Sequence, residues 1–149
     1  MKSTIATALA LSFLVTPAFS DGHAAGDAGA GEAIFKKCKA CHAIVDPEGE
    51  VVRKGGKVGP NLYGLYGRAA GGNADFSSKY SGSLKEAGEE GLVWNEKDFV
   101  GFVADPKKFL AAYLEDTGAK SKMGFKLKKK GAARDVWAYL VSVGPEVED

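Results

Sequence analysis

The chain has 149 residues, 45% apolar and 26% charged, with 20 Gly and 5 Pro, and its formal net charge is +1. That size suits one domain, and the composition excludes a disordered chain, a collagen-like repeat and a polytopic membrane protein. A near-neutral total gives no general reason to expect nucleic-acid binding, and two Cys, two His and two Met leave few side chains for metal chemistry.

Residues 1–20 hold one charge, Lys2, then a mostly apolar run from Ile5 to Val15, then Pro17 and Ala18-Phe19-Ser20. A basic start, a short apolar centre and small residues at the last and third-last positions predict a secretory signal peptide, cleaved after Ser20. The other reading is an uncleaved anchor, but the run is about 11 residues against the roughly 20 that span a bilayer. Residues 21–30, small and containing His23, read as a flexible tail, and 31–149 as the domain. Export makes the protein soluble and periplasmic in this reading.

From Gly31 to about His42 no breaker intervenes, and Phe35, Cys38 and His42 fall on one helical stripe. A weaker helix is expected near Ser83–Glu90. Asn95 is a good N-cap, with Glu96 and Asp98 in the first turn and Phe99, Phe102 and Val103 inward. Asp105-Pro106 is a cap followed by proline at the first helical position, opening a short helix with Phe109, Leu110 and Tyr113 inward. From Ala132, the residues Val136, Tyr139, Leu140 and Val143 follow the helical period as far as Gly144-Pro145. Strand patterns are essentially absent. The expectation is an all-α single domain, about five helices joined by long glycine-rich loops that something must organise.

The two cysteines stand in Cys38-Lys39-Ala40-Cys41, with His42 next. Three chemistries compete for this motif. A thioredoxin-like dithiol needs a preceding strand and a βαβ setting that the pattern lacks. A structural zinc site needs four ligands, which His23 could complete only if the tail folded back. Covalent haem attachment needs two thiols three apart, each adding to a vinyl group, and an imidazole next in sequence to ligate the iron. Cys-x-x-Cys-His is the signature of that third chemistry. A haem iron held by His42 has a sixth position, and candidates are scarce: His23 lies in the tail, and Met123 is the only Met besides the initiator. Met123 sits in a polar, glycine-flanked loop, Gly118–Leu127, where core filling explains little. His42 and Met123 together would close both axial positions and raise the reduction potential, which leaves electron transfer as the expected role.

The ordered segments Gly31-x-x-x-Phe35, Cys38-x-x-Cys41-His42, Gly59-Pro60-Asn61-Leu62-Tyr63-Gly64, Gly67-Arg68, Trp94, Asp105-Pro106-Lys107-Lys108-Phe109, Lys122-Met123-Gly124-Phe125 and Ala138-Tyr139-Leu140 resemble class I c-type cytochromes. The resemblance is to the bacterial cytochrome c2 type and covers about Gly26 to Val143. It implies a cytochrome c fold packed around one covalently bound haem c, with the first and last helices crossing at Gly31, Phe35, Val136 and Tyr139. It places the Pro60 carbonyl against the N–H of His42, and Arg68, Tyr80, Trp94 and Ser121 at the haem propionates. It implies a non-enzymatic carrier of single electrons, and nothing in the sequence suggests more than a monomer. The donor would be the quinol-oxidising cytochrome bc complex, and the acceptor a photosynthetic reaction centre or terminal cytochrome c oxidase. The alternative is a haem enzyme or gas-binding sensor in which Met123 dissociates. One departure stands out: relatives usually have Tyr four residues before the proline matching Pro106, near the Met sulfur, and here it is Phe102. The loops Asp46–Gly56 and Ser83–Leu92 are longer than in mitochondrial relatives.

Charge is unevenly spread. Lys120, Lys122, Lys126, Lys128, Lys129 and Lys130 form one basic cluster, and Lys36, Lys37, Lys39, Arg53, Lys54 and Lys57 another, while 86–116 is rich in acids. Both clusters flank the expected ligands, so a basic ring would steer acidic partners into fast, transient complexes. Export and the lack of an aromatic platform among the lysines argue against nucleic acid, and no stable membrane anchor is expected.

Overall fold

A computed structural model describes residues 24–147. The expected signal peptide and cleavage site, and His23, lie outside the described residues. Among those described are five α-helices: α1 (Ala28–Phe35), α2 (Gly82–Glu89), α3 (Glu96–Ala104), α4 (Pro106–Tyr113) and α5 (Lys130–Ser142). A 3-10 turn covers Ala74–Lys79.

Local chemistry starts four of the five helices. Asp27 accepts from the Ala30 N–H at 2.8 Å, Ser81 from Leu84 at 3.3 Å, Asn95 from Asp98 at 3.0 Å, and Asp105 from Lys108 at 3.2 Å. Each side chain satisfies a donor that the helix itself cannot. The caps expected at Asn95 and Asp105-Pro106 are therefore present, and α5 begins two residues ahead of Ala132.

Helix α1 departs from expectation at both ends. It starts inside the stretch assigned to the tail, because Asp27 caps it. Residues 24–27 are also held: the Ala25 N–H donates to Glu96 Oε2 at 2.6 Å and the Asp27 N–H to Asp135 Oδ1 at 3.0 Å. The α-helix ends at Phe35, and residues 36–42 continue as turns in which Cys38 and Cys41 donate three residues back. This turn is also bonded to a distant loop. The carbonyls of Lys39 and Cys41 accept from the N–H groups of Gly56 and Gly59, each at 2.8 Å.

A second correction is a small ladder where no strand was expected. Strands β1 (Ile44–Val45) and β2 (Val51–Arg53) pair antiparallel, Ile44 opposite Arg53 and Val45 opposite Val51. Asp46 accepts from the Glu50 N–H at 2.7 Å, and Gly49 takes a positive φ of 87°. Strands this short carry too few residues to display alternation.

The core is built where α1 crosses α5. A Cβ on Gly31 would overlap the Asp135 carbonyl and approach Tyr139 Cβ to 2.9 Å, so only glycine lets the two backbones meet. Phe35 and Tyr139 pack their rings at 5.5 Å, and Val136 is 1% exposed. Trp137, fully buried, continues the core to Phe99 at 5.3 Å and Tyr66 at 6.1 Å. Arg53 ties the hairpin to this crossing, its Nε donating to the Tyr139 hydroxyl at 3.0 Å while its guanidinium pairs with Glu32. Gly31→Ala should therefore destabilise by about 1–3 kcal/mol, as overpacking against rigid backbone does. Gly131→Ala, in α5 with nothing within 4 Å, should instead stabilise by about 0.4–1 kcal/mol. Denaturant midpoints of opposite sign for the two variants are the check.

Candidate functional site

The site is a turn held by a loop. Cys38 is half-buried and Cys41 exposed, and neither is in a disulfide. Burial, and then the neighbouring Cys41, push the Cys38 thiol up to about 11 against the pull of Lys37, so it is a neutral thiol at neutral pH. The segment 55–62 runs alongside this turn in backbone contact. Besides the bonds from Gly56 and Gly59, the Leu62 N–H donates to the Ala43 carbonyl at 3.0 Å. A Cβ on Gly55 would overlap the His42 carbonyl, and one on Gly56 the Ala40 carbonyl.

His42 receives the most defined environment. Its Nδ1 lies 2.8 Å from the Pro60 carbonyl oxygen. A carbonyl only accepts, so Nδ1 carries the proton and Nε2 keeps a free lone pair. Burial above all, and then Arg68, hold the imidazole below its ordinary pKa, against the Pro60 bond that raises it. The neutral ring is the form that can ligate a metal, and the carbonyl fixes its tautomer and orientation. Gly59 completes the cradle: a Cβ there would overlap Cε1 and lie 2.6 Å from Nδ1.

Asn61, whose role the sequence reading left unassigned, locks the loop. Its side chain donates to the Val45 carbonyl at 2.6 Å and accepts from the N–H groups of Val45 at 3.0 Å and Tyr63 at 3.1 Å. Arg68 then braces the same segment, donating to the carbonyls of Asn61 at 3.0 Å and Tyr63 at 3.3 Å. These two bonds leave Arg68 further N–H groups for an anion, since a guanidinium carries five. Tyr80 lies close enough for its hydroxyl to feel the Arg68 charge, and its ring packs edge-on against Phe76 at 5.1 Å. Segment 67–70 pairs with 92–94, the Trp94 N–H donating to the Arg68 carbonyl at 3.0 Å. Trp94 is thereby placed beside Arg68 and edge-on to Phe102 at 5.0 Å, and Phe102 in turn meets Phe109 at 5.9 Å.

Met123 lies on a separate segment, half-buried against the core. Its N–H donates to Ser121 Oγ at 3.1 Å, and that hydroxyl donates to the Met123 carbonyl at 3.2 Å. Ser121 thus shapes the Met123 backbone in addition to any duty toward a propionate. Among the described residues no hydrogen bond joins this loop to the His42 turn. Two thiols one turn apart, a neutral imidazole with a free Nε2 and a half-buried thioether form a donor set that fits a covalently attached haem. Among the described residues no group of three or more His, Cys, Asp or Glu converges into another metal centre.

Comparison with known proteins bears on the same reading. Cytochrome c-551 of Roseobacter denitrificans is 51% identical over 143 residues, which is 96% of each chain. Cytochrome c2 of Cereibacter sphaeroides is 50% identical over 79% of this chain and 95% of its own. The chain belongs to the bacterial cytochrome c2 family. A solved cytochrome c2 from Rhodobacter sphaeroides superposes with a TM-score of 0.79 at 49% identity, covering 82% of this chain and 99% of its own. The fold is accordingly the cytochrome c fold, as the sequence resemblance implied. No protein-family model matches the chain. Family membership also gives the Cys38 and Cys41 pair a setting without the βαβ unit that the dithiol reading required.

The Gly59 cradle can be tested directly. Gly59→Ala should displace the imidazole and break its bond to Pro60, and the His42 Nδ1–H resonance, slowly exchanging in the parent, should exchange rapidly in the variant. Retention of that resonance would mean that the ring does not depend on Gly59.

Proposed function

We propose that the chain carries one covalent haem c, bonded through Cys38 and Cys41, with His42 and Met123 as the axial iron ligands. It acts as a soluble, monomeric periplasmic carrier, exported through its 1–20 signal. It takes single electrons from the quinol-oxidising cytochrome bc complex and delivers them to a reaction centre or terminal cytochrome c oxidase. The observation that carries this reading is the 2.8 Å bond between His42 Nδ1 and the Pro60 carbonyl, beside two unpaired cysteines. Such a partner is what a ligating histidine uses to present its other nitrogen to a metal. Family membership supports it, since the relatives are named cytochromes c2, c-550 and c-551.

The haem supplies a one-electron couple whose potential is set by its axial ligands and surroundings. The chain's residues do the rest. Pro60 and Gly59 fix the imidazole, and Ser121 shapes the backbone at Met123. Arg68, Tyr80, Trp94 and Ser121 offer donors to the propionates, whose burial is costly if they stay unpaired. Phe102 presents a ring edge to Trp94 and no hydroxyl to the Met123 sulfur. With His42 and Met123 both held to the iron, no position would be left there for a substrate. Among the described residues no helix is long and apolar enough to cross a membrane, which suits a diffusing carrier.

Absorption spectra of the holoprotein test the ligand set. The oxidised form should show the weak far-red band of sulfur–iron ligation, Met123→Ala should abolish it, and the reduced parent should resist carbon monoxide. A parent that lacks the band and binds carbon monoxide would point instead to an enzyme or sensor with an open iron. The lysine clusters make a separate prediction. The second-order rate constant with an isolated redox partner should fall about ten-fold or more as salt shortens the Debye length from about 30 to about 8 Å. A flat salt profile would remove electrostatic docking.

A further inference from the structure

The loop that carries Met123 is suspended between two anchors. Before it, the Lys120 N–H donates to Ser83 Oγ at 3.0 Å and Lys122 Nζ to the Lys79 carbonyl at 2.7 Å. After it, Lys126 Nζ pairs with Asp105 Oδ2 at 2.7 Å and the Leu127 N–H donates to the Val103 carbonyl at 2.7 Å. Between the anchors, Gly124 has nothing within 4 Å of its Cβ position and Phe125 is 39% exposed. Packing therefore gives 124–125 little support, and beyond the contact of Met123 with the core the anchors set how the loop lies over the site.

Asp105 is suited to this task by its position. Its Oδ1 caps α4 through the Lys108 N–H, and its Oδ2 is left for Lys126. Among the described residues this is the one ion pair formed by the basic run 120–130. The remaining lysines of the run repel one another, which favours a loop swung outward. We infer that the Asp105–Lys126 pair is a latch, and that the two are positioning residues which hold the 120–127 loop closed so that Met123 can ligate iron. The inference rests on the reading of Met123 as an axial ligand. An exposed pair of this kind adds little to global stability. Local opening of a loop has a far smaller free energy, so the same small term changes the open population measurably.

The test uses the holoprotein with Asp105→Asn, Lys126→Gln, the double variant, and Lys126→Arg. Asn keeps the cap on α4 and removes only the charge. Two readouts are followed: amide exchange at Leu127, and the affinity of the oxidised protein for added imidazole, which competes with Met123 for the open position. Both should rise about two- to five-fold in each of the first two variants, and no further in the double variant. Lys126→Arg should restore parental values, and 1 M salt should erase the difference between parent and Asp105→Asn. Unchanged Leu127 exchange in both single variants would overturn the latch. So would faster exchange at Lys108 of the same size, since that would trace the effect to α4. If exchange responds while imidazole affinity does not, the pair fastens the loop without positioning Met123, and the inference fails. A parent protein without the far-red band would sink the ligand reading itself, a result that the Leu127 exchange does not depend on.

Discussion

The structure depends on one backbone contact, the run of Gly55 to Leu62 against the turn from Cys38 to Ala43. Three N–H groups of the loop donate to three carbonyls of the turn. Glycine at 55, 56 and 59 lets the two strands of chain approach to a distance that any side chain would prevent. Everything else at the site follows from that approach. It holds the turn that follows α1, and it delivers the Pro60 carbonyl to His42. Asn61 and Arg68 then lock the loop from its far side, so the imidazole is oriented by a chain of bonds and not by packing alone.

The second constraint is the α1–α5 crossing, which works on a larger scale. Gly31 permits the crossing, and Phe35, Val136, Trp137 and Tyr139 fill it. The hairpin of β1 and β2 joins the two constraints, because Arg53 reaches from it to both Glu32 on α1 and Tyr139 on α5. The cysteine turn is therefore braced at its start by the helix crossing and at its end by the loop. A rigid frame of this kind suits a site whose atoms must move little when charge changes.

What the sequence revealed was local chemistry. The caps at Asn95 and Asp105, the proline at the start of α4 and the helical period of α5 depend on neighbours within four residues, and the structure has them all. The resemblance placed the Pro60 carbonyl and the Gly31 crossing, which no local pattern encodes. The missed features were non-local or very short. The turn after α1 is bonded to a loop some twenty residues away. The hairpin is too short for alternation, though Asp46-Pro47-Glu48-Gly49 before two valines was a usable turn signal. Asn61 stood inside a quoted motif, but its bonds to Val45 could be seen only once β1 lay beside it. The Asp27 cap was hidden by a glycine- and alanine-rich context that looked like a tail. Pairing of Lys126 with Asp105, across 21 residues, has no signature in either segment.

The fate of the arginines has a consequence for how long a complex lasts. Arg53, Arg68 and Arg134 are all the arginines of the chain, and each is engaged internally: with Glu32 and Tyr139, with the carbonyls of Asn61 and Tyr63, and with Glu96 at 3.3 Å. The cations left to face another molecule are lysines. Arginine grips a carboxylate with a planar fork, whereas lysine is a hydrated point charge on a flexible stem. A surface whose arginines are already paired within the molecule, and whose other cations are lysines, attracts from a distance yet holds weakly on contact. Attraction of that kind raises the rate of arrival without slowing departure, and for a carrier of the kind proposed above, quick departure would set the number of visits.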